Sequence, residues 1–309
     1  MEKLIKGLHH VTSMAADAKE NNRFFTKTLG LRRVKKTVNF DSPEVYHLYY
    51  GDEIGTPGSV MTYFPFGPMP RGKRGVGEVG ITEFAVPEGT LGFWQQHLVE
   101  KNVSGLREET FLGERRLAFD GPDGDSFALV EADPAGRTAW SGDGIGRDEA
   151  IVGFHGARFR LRDAAATGEL LQFMGYELDE TDGAVTRYRI EGGNAARTID
   201  LEERPNADHA NQGAGSVHHI AFAVEDRAAQ LKVREALMDT GYQVTPVIDR
   251  DYFWAIYFRT PGGVIFEVAT NEPGFDRDED TASLGEALKL PERYRPYREQ
   301  IEKRLPEIA

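Results

Sequence analysis

Gly7-Leu-His-His-Val-Thr-Ser-Met14 returns late in the chain as Ser216-Val-His-His-Ile-Ala-Phe-Ala-Val224, and that return decides the fold. Each stretch reads as a strand with a His-His pair near its start. The segments after them are also alike. After the first come a helix over Ala18–Leu29, N-capped by Asp17 and stopped at Gly30, and strands near Arg32–Asn39, Val45–Tyr50 and Ser59–Phe64. After the second come a helix over Arg227–Thr240, capped by Asp226 and carrying Leu231, Leu237 and Met238 inward, and strands near Gln243–Ile248, Phe253–Arg259 and Val264–Thr270. Leu48-Tyr-Tyr50 matches Ile256-Tyr-Phe258, and Thr56-Pro-Gly-Ser-Val60 matches Thr260-Pro-Gly-Gly-Val264. Internal repetition of this kind means one supersecondary unit used several times.

Two weaker copies lie between. One holds Gly80-Ile-Thr-Glu-Phe-Ala-Val86, a helix near Leu91–Lys101 and Gly121–Leu129; the other holds Val152–Phe159, a helix near Ala164–Met174 and Thr198–Glu203. The expected fold is α+β: four βαβββ modules paired into two domains, with curved mixed sheets enclosing a metal site. In sequence order the domains are residues 1–135 and 148–275. A Gly- and Pro-rich linker, 136–147, lies between them. Residues 276–309 form a tail with an acidic stretch, Asp276–Asp280, read as a solvated loop, and a helix near Glu292–Leu305.

Composition narrows the chemistry. The chain has 309 residues, 40% hydrophobic and 28% charged, as in a globular protein. It has no cysteine, so disulfides and Cys-ligated metals are excluded. A net charge of −13 argues against nucleic acid as a partner. No apolar run approaches the roughly 20 residues of a membrane span, and the first residues lack the apolar core of a signal peptide. The expected location is the cytoplasm. The sequence leaves open whether the chain is a monomer or a homo-oligomer.

Glu267 stands in an apolar strand, where a charge is costly unless paired or bound to a metal. With His219 on a neighbouring strand and a second histidine it would make a two-His, one-carboxylate triad, the ligand set of non-haem Fe(II) oxygenases. His10 is the obvious second histidine, since it matches His219 in the repeat; His155, in Phe-His-Gly-Ala, is a rival. Six residues after Pro57 comes Tyr63, and six after Pro122 comes Ala128, so the other modules offer no carboxylate at the Glu267 place. Successive strand residues face opposite sides. Thr12 should therefore share a face with His10, while His9 and His218 should face away unless the strands are bulged. His47 reads as structural.

The plan and the Pro-Gly-Gly-Val-Ile-Phe-Glu strand resemble the vicinal oxygen chelate superfamily of glyoxalases, bleomycin-resistance proteins and extradiol dioxygenases. Leu8-His-His-Val-Thr12, Tyr46-His-Leu-Tyr49, Gly55-Thr-Pro-Gly58, Val217-His-His-Ile220, Arg259-Thr-Pro-Gly-Gly263 and the tail Asp278-Glu-Asp…Ser283-Leu-Gly285 resemble its hydroquinone-type ring-cleaving dioxygenases. The resemblance implies a metal, Fe(II) with Mn(II) as the alternative, held by His10, His219 and Glu267. It implies His9, Thr12, His218, Arg250 and Tyr257 around that metal; His218 is the first candidate for proton donor, since an imidazole titrates near working pH. It implies a small aromatic substrate and O2 as partners. Three other readings compete: a catechol extradiol dioxygenase with its metal in the C-terminal domain, a metal-free binding protein of the bleomycin-resistance kind, and a metal-dependent isomerase or lyase. The last is weakened by the missing second carboxylate.

Overall fold

The computed structural model describes residues 3–308. The first module is β1 (Ile5–Ala15), α1 (Ala18–Arg23), β2 (Arg32–Val38), β3 (Tyr46–Gly51) and β4 (Val60–Pro65). The second is β5 (Glu78–Val86), α2 (Leu91–Glu100), β6 (Arg107–Phe111), β7 (Glu114–Asp120) and β8 (Ser126–Glu131). The third is β9 (Phe154–Leu161), α3 (Ala165–Phe173), β10 (Glu177–Asp182), β11 (Val185–Arg189) and β12 (Thr198–Glu203). The fourth is β13 (Val217–Val224), α4 (Arg227–Asp239), β14 (Ile248–Asp249), β15 (Phe253–Arg259) and β16 (Ile265–Pro273). A short α5 (Arg298–Glu302) closes the tail.

Within each module the first strand forms an edge, as in the order β1-β4-β3-β2. An unpaired edge invites pairing, and the modules join through these edges. β1 pairs antiparallel with β13, and β5 with β9. Two eight-stranded mixed sheets result, β14-β15-β16-β13-β1-β4-β3-β2 and β10-β11-β12-β9-β5-β8-β7-β6. The pairing is nested: the first module joins the fourth and the second joins the third. Residues 1–135 and 148–275 thus divide the chain in sequence, but each sheet draws one module from either side of the intervening segment. The helices pack apolar faces against the sheets, and one large core runs through both.

Several elements differ from the sequence expectation. The helix expected over Ala18–Leu29 is α-helical to Arg23 and then widens into a π turn, Phe24–Thr28, with the Leu29 N–H donating to the Phe24 carbonyl. This wider turn sends both Phe24 and Phe25 into the core. Asp17 caps the helix by accepting from the Glu20 N–H, and Gly30, at φ +67°, stops it. In α4 the buried stripe is Gln230, Val233 and Leu237, whereas Leu231 and Met238 are about half exposed. They sit seven residues apart on a line one residue round from Gln230 and Leu237, so they share each other's exposure. The strand expected over 243–248 shrinks to β14, because Pro246 has no N–H to give. Pro296 likewise breaks the tail helix into a 3-10 segment, Glu292–Tyr297, and α5.

The acidic stretch is only partly the solvated loop expected: Asp276, Asp278 and Asp280 are exposed, but the Glu279 side chain is withdrawn from solvent. Asp278 and Glu279 both pair with the ammonium of Lys35, which is fully buried on β2. A buried cation needs such partners.

Candidate metal centre

The pairing of β1 with β13, and of β13 with β16, carries three side chains to one place. Ala221 faces His10 across one ladder and Glu267 across the other. His219 lies two residues before Ala221, on the same face. His10 and His219 are at most 5% exposed and Glu267 is fully buried. The Glu267 Oε2 atom is 3.3 Å from His10 Nε2 and 2.8 Å from His219 Nε2, and one donor atom from each residue falls within 4.8 Å of the others.

Both His-His pairs sit in β-bulges. The register steps from Leu8↔Phe222 to His10↔Ala221, leaving His9 extra; it steps from Thr12↔His219 to Ser13↔Val217, leaving His218 extra. Strict alternation would have turned His9 and His218 away. The bulges turn them back beside their neighbours, with Nδ1–Nδ1 distances of 2.9 Å for His9 and His10 and 2.8 Å for His218 and His219. Burial, then the neighbouring His10, pulls the His9 pKa down to about 3. Burial and His219 bring His218 to about 4. Both rings are therefore neutral near pH 7.

These contacts fix the tautomers. His9 Nε2 lies 3.1 Å from the Thr270 carbonyl, which can only accept, so Nε2 carries the proton. Its Nδ1 is then an acceptor and His10 Nδ1 must donate to it, so a neutral His10 turns its Nε2 lone pair toward the carboxylate. Burial pushes the Glu267 carboxyl up, but His10 and His219, while they carry a proton toward it, outweigh burial and hold it well below the ordinary carboxylate range. Both Glu267 oxygens lack a well-formed hydrogen bond. A buried carboxylate beside a bare nitrogen lone pair is what a cation would satisfy, and the residues fit one.

His10 and His219 line a cavity of about 390 Å³, and Glu267 lies buried between them. His218, Tyr257 and Arg250 line one side; Phe64 and Phe66 form an apolar wall. Arg250 Nε donates to the Tyr257 hydroxyl at 3.2 Å and reaches Asp41 at 3.5 Å. His9 is screened from the cavity by Phe253, whose ring centre is 5.2 Å from its own. Thr12 is fully buried, 2.9 Å from Thr62.

One placement bears on the rival ligand and two differ from the sequence reading. His155 lies in the other sheet, 3.2 Å from Glu114, on a larger cavity of about 570 Å³ with no comparable ligand cluster. The larger volume does not outweigh the convergent donors of the smaller one. Tyr63 is not at the Glu267 place. Thr12 and Ala221 each lie two residues past a triad histidine; Thr12 pairs with Thr62 as Ala221 pairs with Glu267. Thr62 is the counterpart, and Tyr63 instead donates to Asp125 at 2.6 Å from within the core. The first module still offers no carboxylate there. Lastly, His47 and Tyr49 line the cavity. Their spacing of two on β3 is the signal in the sequence that points to it.

In the second sheet ion pairs fill the corresponding positions. Asp200, paired with Arg158 in register, is bound by Arg187 through contacts of 2.7 and 2.9 Å, and Glu83 by Arg116 at 2.6 Å. Guanidinium groups there take the role a metal would have.

Residues 7–129 and 159–268 match the model of the glyoxalase/bleomycin resistance protein/dioxygenase superfamily. The chain belongs to that superfamily. Among its superfamily relatives is a Bacillus subtilis strain 168 protein provisionally named ring-cleaving dioxygenase MhqO, 42% identical over 306 residues, 99% of this chain and 97% of that protein. Another is the chlorohydroquinone/hydroquinone 1,2-dioxygenase of Sphingobium indicum, 35% identical over 298 residues, 93% and 91% of the two chains. A crystal structure from Bacillus subtilis, of a protein provisionally described as a dioxygenase, superposes with a TM-score of 0.96 at 40% identity, covering 100% of this chain and 99% of that one. Glyoxalase I from maize shares the fold alone, with a TM-score of 0.61 at 14% identity and coverage of 86% and 92%.

Proposed function

We propose that the protein is a ring-cleaving dioxygenase that opens a hydroquinone-type ring with O2, using Fe(II), with Mn(II) as the alternative, held by His10, His219 and Glu267. The observation that carries the reading is the carboxylate of Glu267, buried between two histidine Nε2 atoms that are its nearest polar partners, behind a cavity those histidines line. The names of the relatives support the dioxygenase class and the hydroquinone substrate. The metal supplies a centre that binds substrate and O2 together and passes electrons between them.

The chain's residues do the rest. With His219 Nε2 bare for the metal, its Nδ1–H donates to His218 Nδ1, and the His218 Nε2–H is left for the cavity. His218 then holds the proton that the cleaved oxygen needs. His9 has the same relation to His10, but its Nε2–H is spent on Thr270, so its part is to orient the ligand. Tyr257 accepts from Arg250, so its own proton can go to a substrate oxygen, and Arg250 offsets negative charge there. Both substrate oxygens of a hydroquinone are para, so one meets the metal and protein donors or acceptors must hold the other. Small aromatic substrate and O2 are the partners, and the product is a ring-opened muconic-type acid.

Oxygen uptake by anaerobically purified, Fe(II)-loaded protein tests this. A hydroquinone should give a higher kcat/KM than a catechol. A catechol preference of about tenfold or more, or no metal bound after reconstitution, would overturn it.

A further inference from the structure

His47 and Tyr49 lie on the cavity but outside the mechanism above. Three hydrogen bonds connect them to the buried end of β1. Tyr49 Oη is 2.8 Å from His47 Nδ1, His47 Nε2 is 2.8 Å from Thr62 Oγ1, and Thr62 Oγ1 donates to Thr12 Oγ1 at 2.9 Å.

Two hydroxyls 2.9 Å apart can bond in either sense; we take Thr62 as the donor to Thr12, and the other protons then follow. Thr62 has a single hydroxyl proton, and Thr12 receives it. Toward His47, Thr62 can only accept, so His47 Nε2 carries its proton. Burial holds the His47 pKa well below the ordinary imidazole range, so the ring is neutral and Nδ1 is bare. Nδ1 therefore accepts, and the Tyr49 hydroxyl gives its proton there. Burial also holds the Tyr49 hydroxyl well above its ordinary range, so it stays protonated. Tyr49 faces the cavity with lone pairs and no proton to offer.

Tyr257 has the opposite polarity. It is the counterpart of Tyr49, since Tyr257 pairs with Glu267 as Tyr49 pairs with Thr62. Its oxygen accepts from Arg250 Nε, which leaves its proton for Glu267 or a bound substrate. The two halves of the sheet thus present one tyrosine donor and one tyrosine acceptor to the same cavity.

We propose that Tyr49 is a specificity-determining residue that accepts the O–H of the substrate oxygen away from the metal, with His47 and Thr62 as positioning residues that fix its polarity. This rests on the function proposed above, and it defines the substrate further: the second oxygen must carry a proton. A hydroquinone meets the requirement and its monomethyl ether does not. A site built to receive an O–H discriminates strongly against an analogue that lacks it.

The test is anaerobic calorimetric binding of methylhydroquinone and of 4-methoxyphenol to the Mn(II)-loaded protein. Wild type should bind the hydroquinone at least about tenfold more tightly. Tyr49→Phe should bring the two ligands within about threefold by weakening the hydroquinone. His47→Phe should also abolish the discrimination, though Tyr49 remains, because the freed hydroxyl can then donate to the ether oxygen. Thr62→Val should act in the same direction and Thr62→Ser should restore the preference, with metal content and melting temperature certifying each variant. A wild-type protein without preference, or a Tyr49→Phe variant that keeps it, overturns the assignment. If His47→Phe discriminates like wild type, the polarity argument fails. Hydroquinone binding with this selectivity but no oxygen uptake by the Fe(II) form would sink the dioxygenase reading and leave the Tyr49 assignment standing.

Discussion

Removing the carboxylate of Glu267 by Glu267→Gln should separate metal binding from folding. At pH 8, above the ordinary imidazole range, the metal-free site holds a buried carboxylate beside neutral rings, a position that costs several kcal/mol. A metal at about 1,000 times its dissociation constant stabilises the folded state by about 4.1 kcal/mol. Unfolding entropy of about 2.1 cal/mol/K per residue comes to roughly 0.65 kcal/mol/K for this chain. The metal should therefore raise the melting temperature of wild type by about 6 °C. In Glu267→Gln a neutral amide replaces the charge. Its metal-free form should melt at or above metal-free wild type, and added Mn(II) should shift it by less than about 1 °C. The assay is thermal unfolding by circular dichroism under argon, with and without Mn(II), on chelator-treated protein. An equal metal-induced shift in the two proteins would refute the ligand assignment. A metal-free variant several degrees below wild type would refute the claim that the carboxylate is uncompensated.

Three further outcomes are expected. Replacing His10 by Ala should empty the metal site while His155→Ala leaves metal content near wild type, because His155 lies in the other sheet beside Glu114; elemental analysis giving the reverse would move the site. Burial raises the Asp125 pKa from 3.8 to about 6, so this carboxyl costs the folded state about 3 kcal/mol at pH 7 and nothing below about pH 3.8, where both states are protonated. Asp125→Asn, which can still accept from Tyr63, should gain up to that amount in urea unfolding at pH 7, the gain fading as pH falls from 6 toward 4; a gain independent of pH would falsify the linkage. Lys35→Ala leaves the Glu279 side chain, 3% exposed, without its cation, and should cost about 3 kcal/mol in urea unfolding; an unchanged midpoint would show that the pairing contributes nothing.

The metal triad is legible because repetition and chemistry agree. His10 and His219 match in the repeat, and Glu267 is a charge where an apolar residue belongs, so neither signal needs the third dimension. Which modules pair is less legible, because the sequence shows that four units exist but not which edges meet. Leu231 and Met238 defeat the periodicity because four turns of helix offer two adjacent apolar lines, and only the sheet beneath decides between them. The acidic tail reads as solvated because Lys35, its buried partner, is more than two hundred residues away in sequence.

Tyr63 and His47 show what counting along a chain misses. The offset from a proline places Tyr63 opposite Glu267, but the turn after Pro57 is one residue shorter than the one after Pro261, and one residue in a strand exchanges its two faces. Register, not spacing, makes Thr62 the counterpart of Glu267 and Tyr49 the counterpart of Tyr257. The same duplication then reads differently on its two sides. In the fourth module the position holds a carboxylate, which can take a metal. In the first it holds a hydroxyl, which cannot, but which can order a histidine and through it a tyrosine. On the proposed reading, divergence at Thr62 and Glu267 would convert two equivalent half-sites into a metal-binding half and a hydrogen-bonding half. A para-dihydroxy ring, with one oxygen for each, is the ligand that such an asymmetric pair fits.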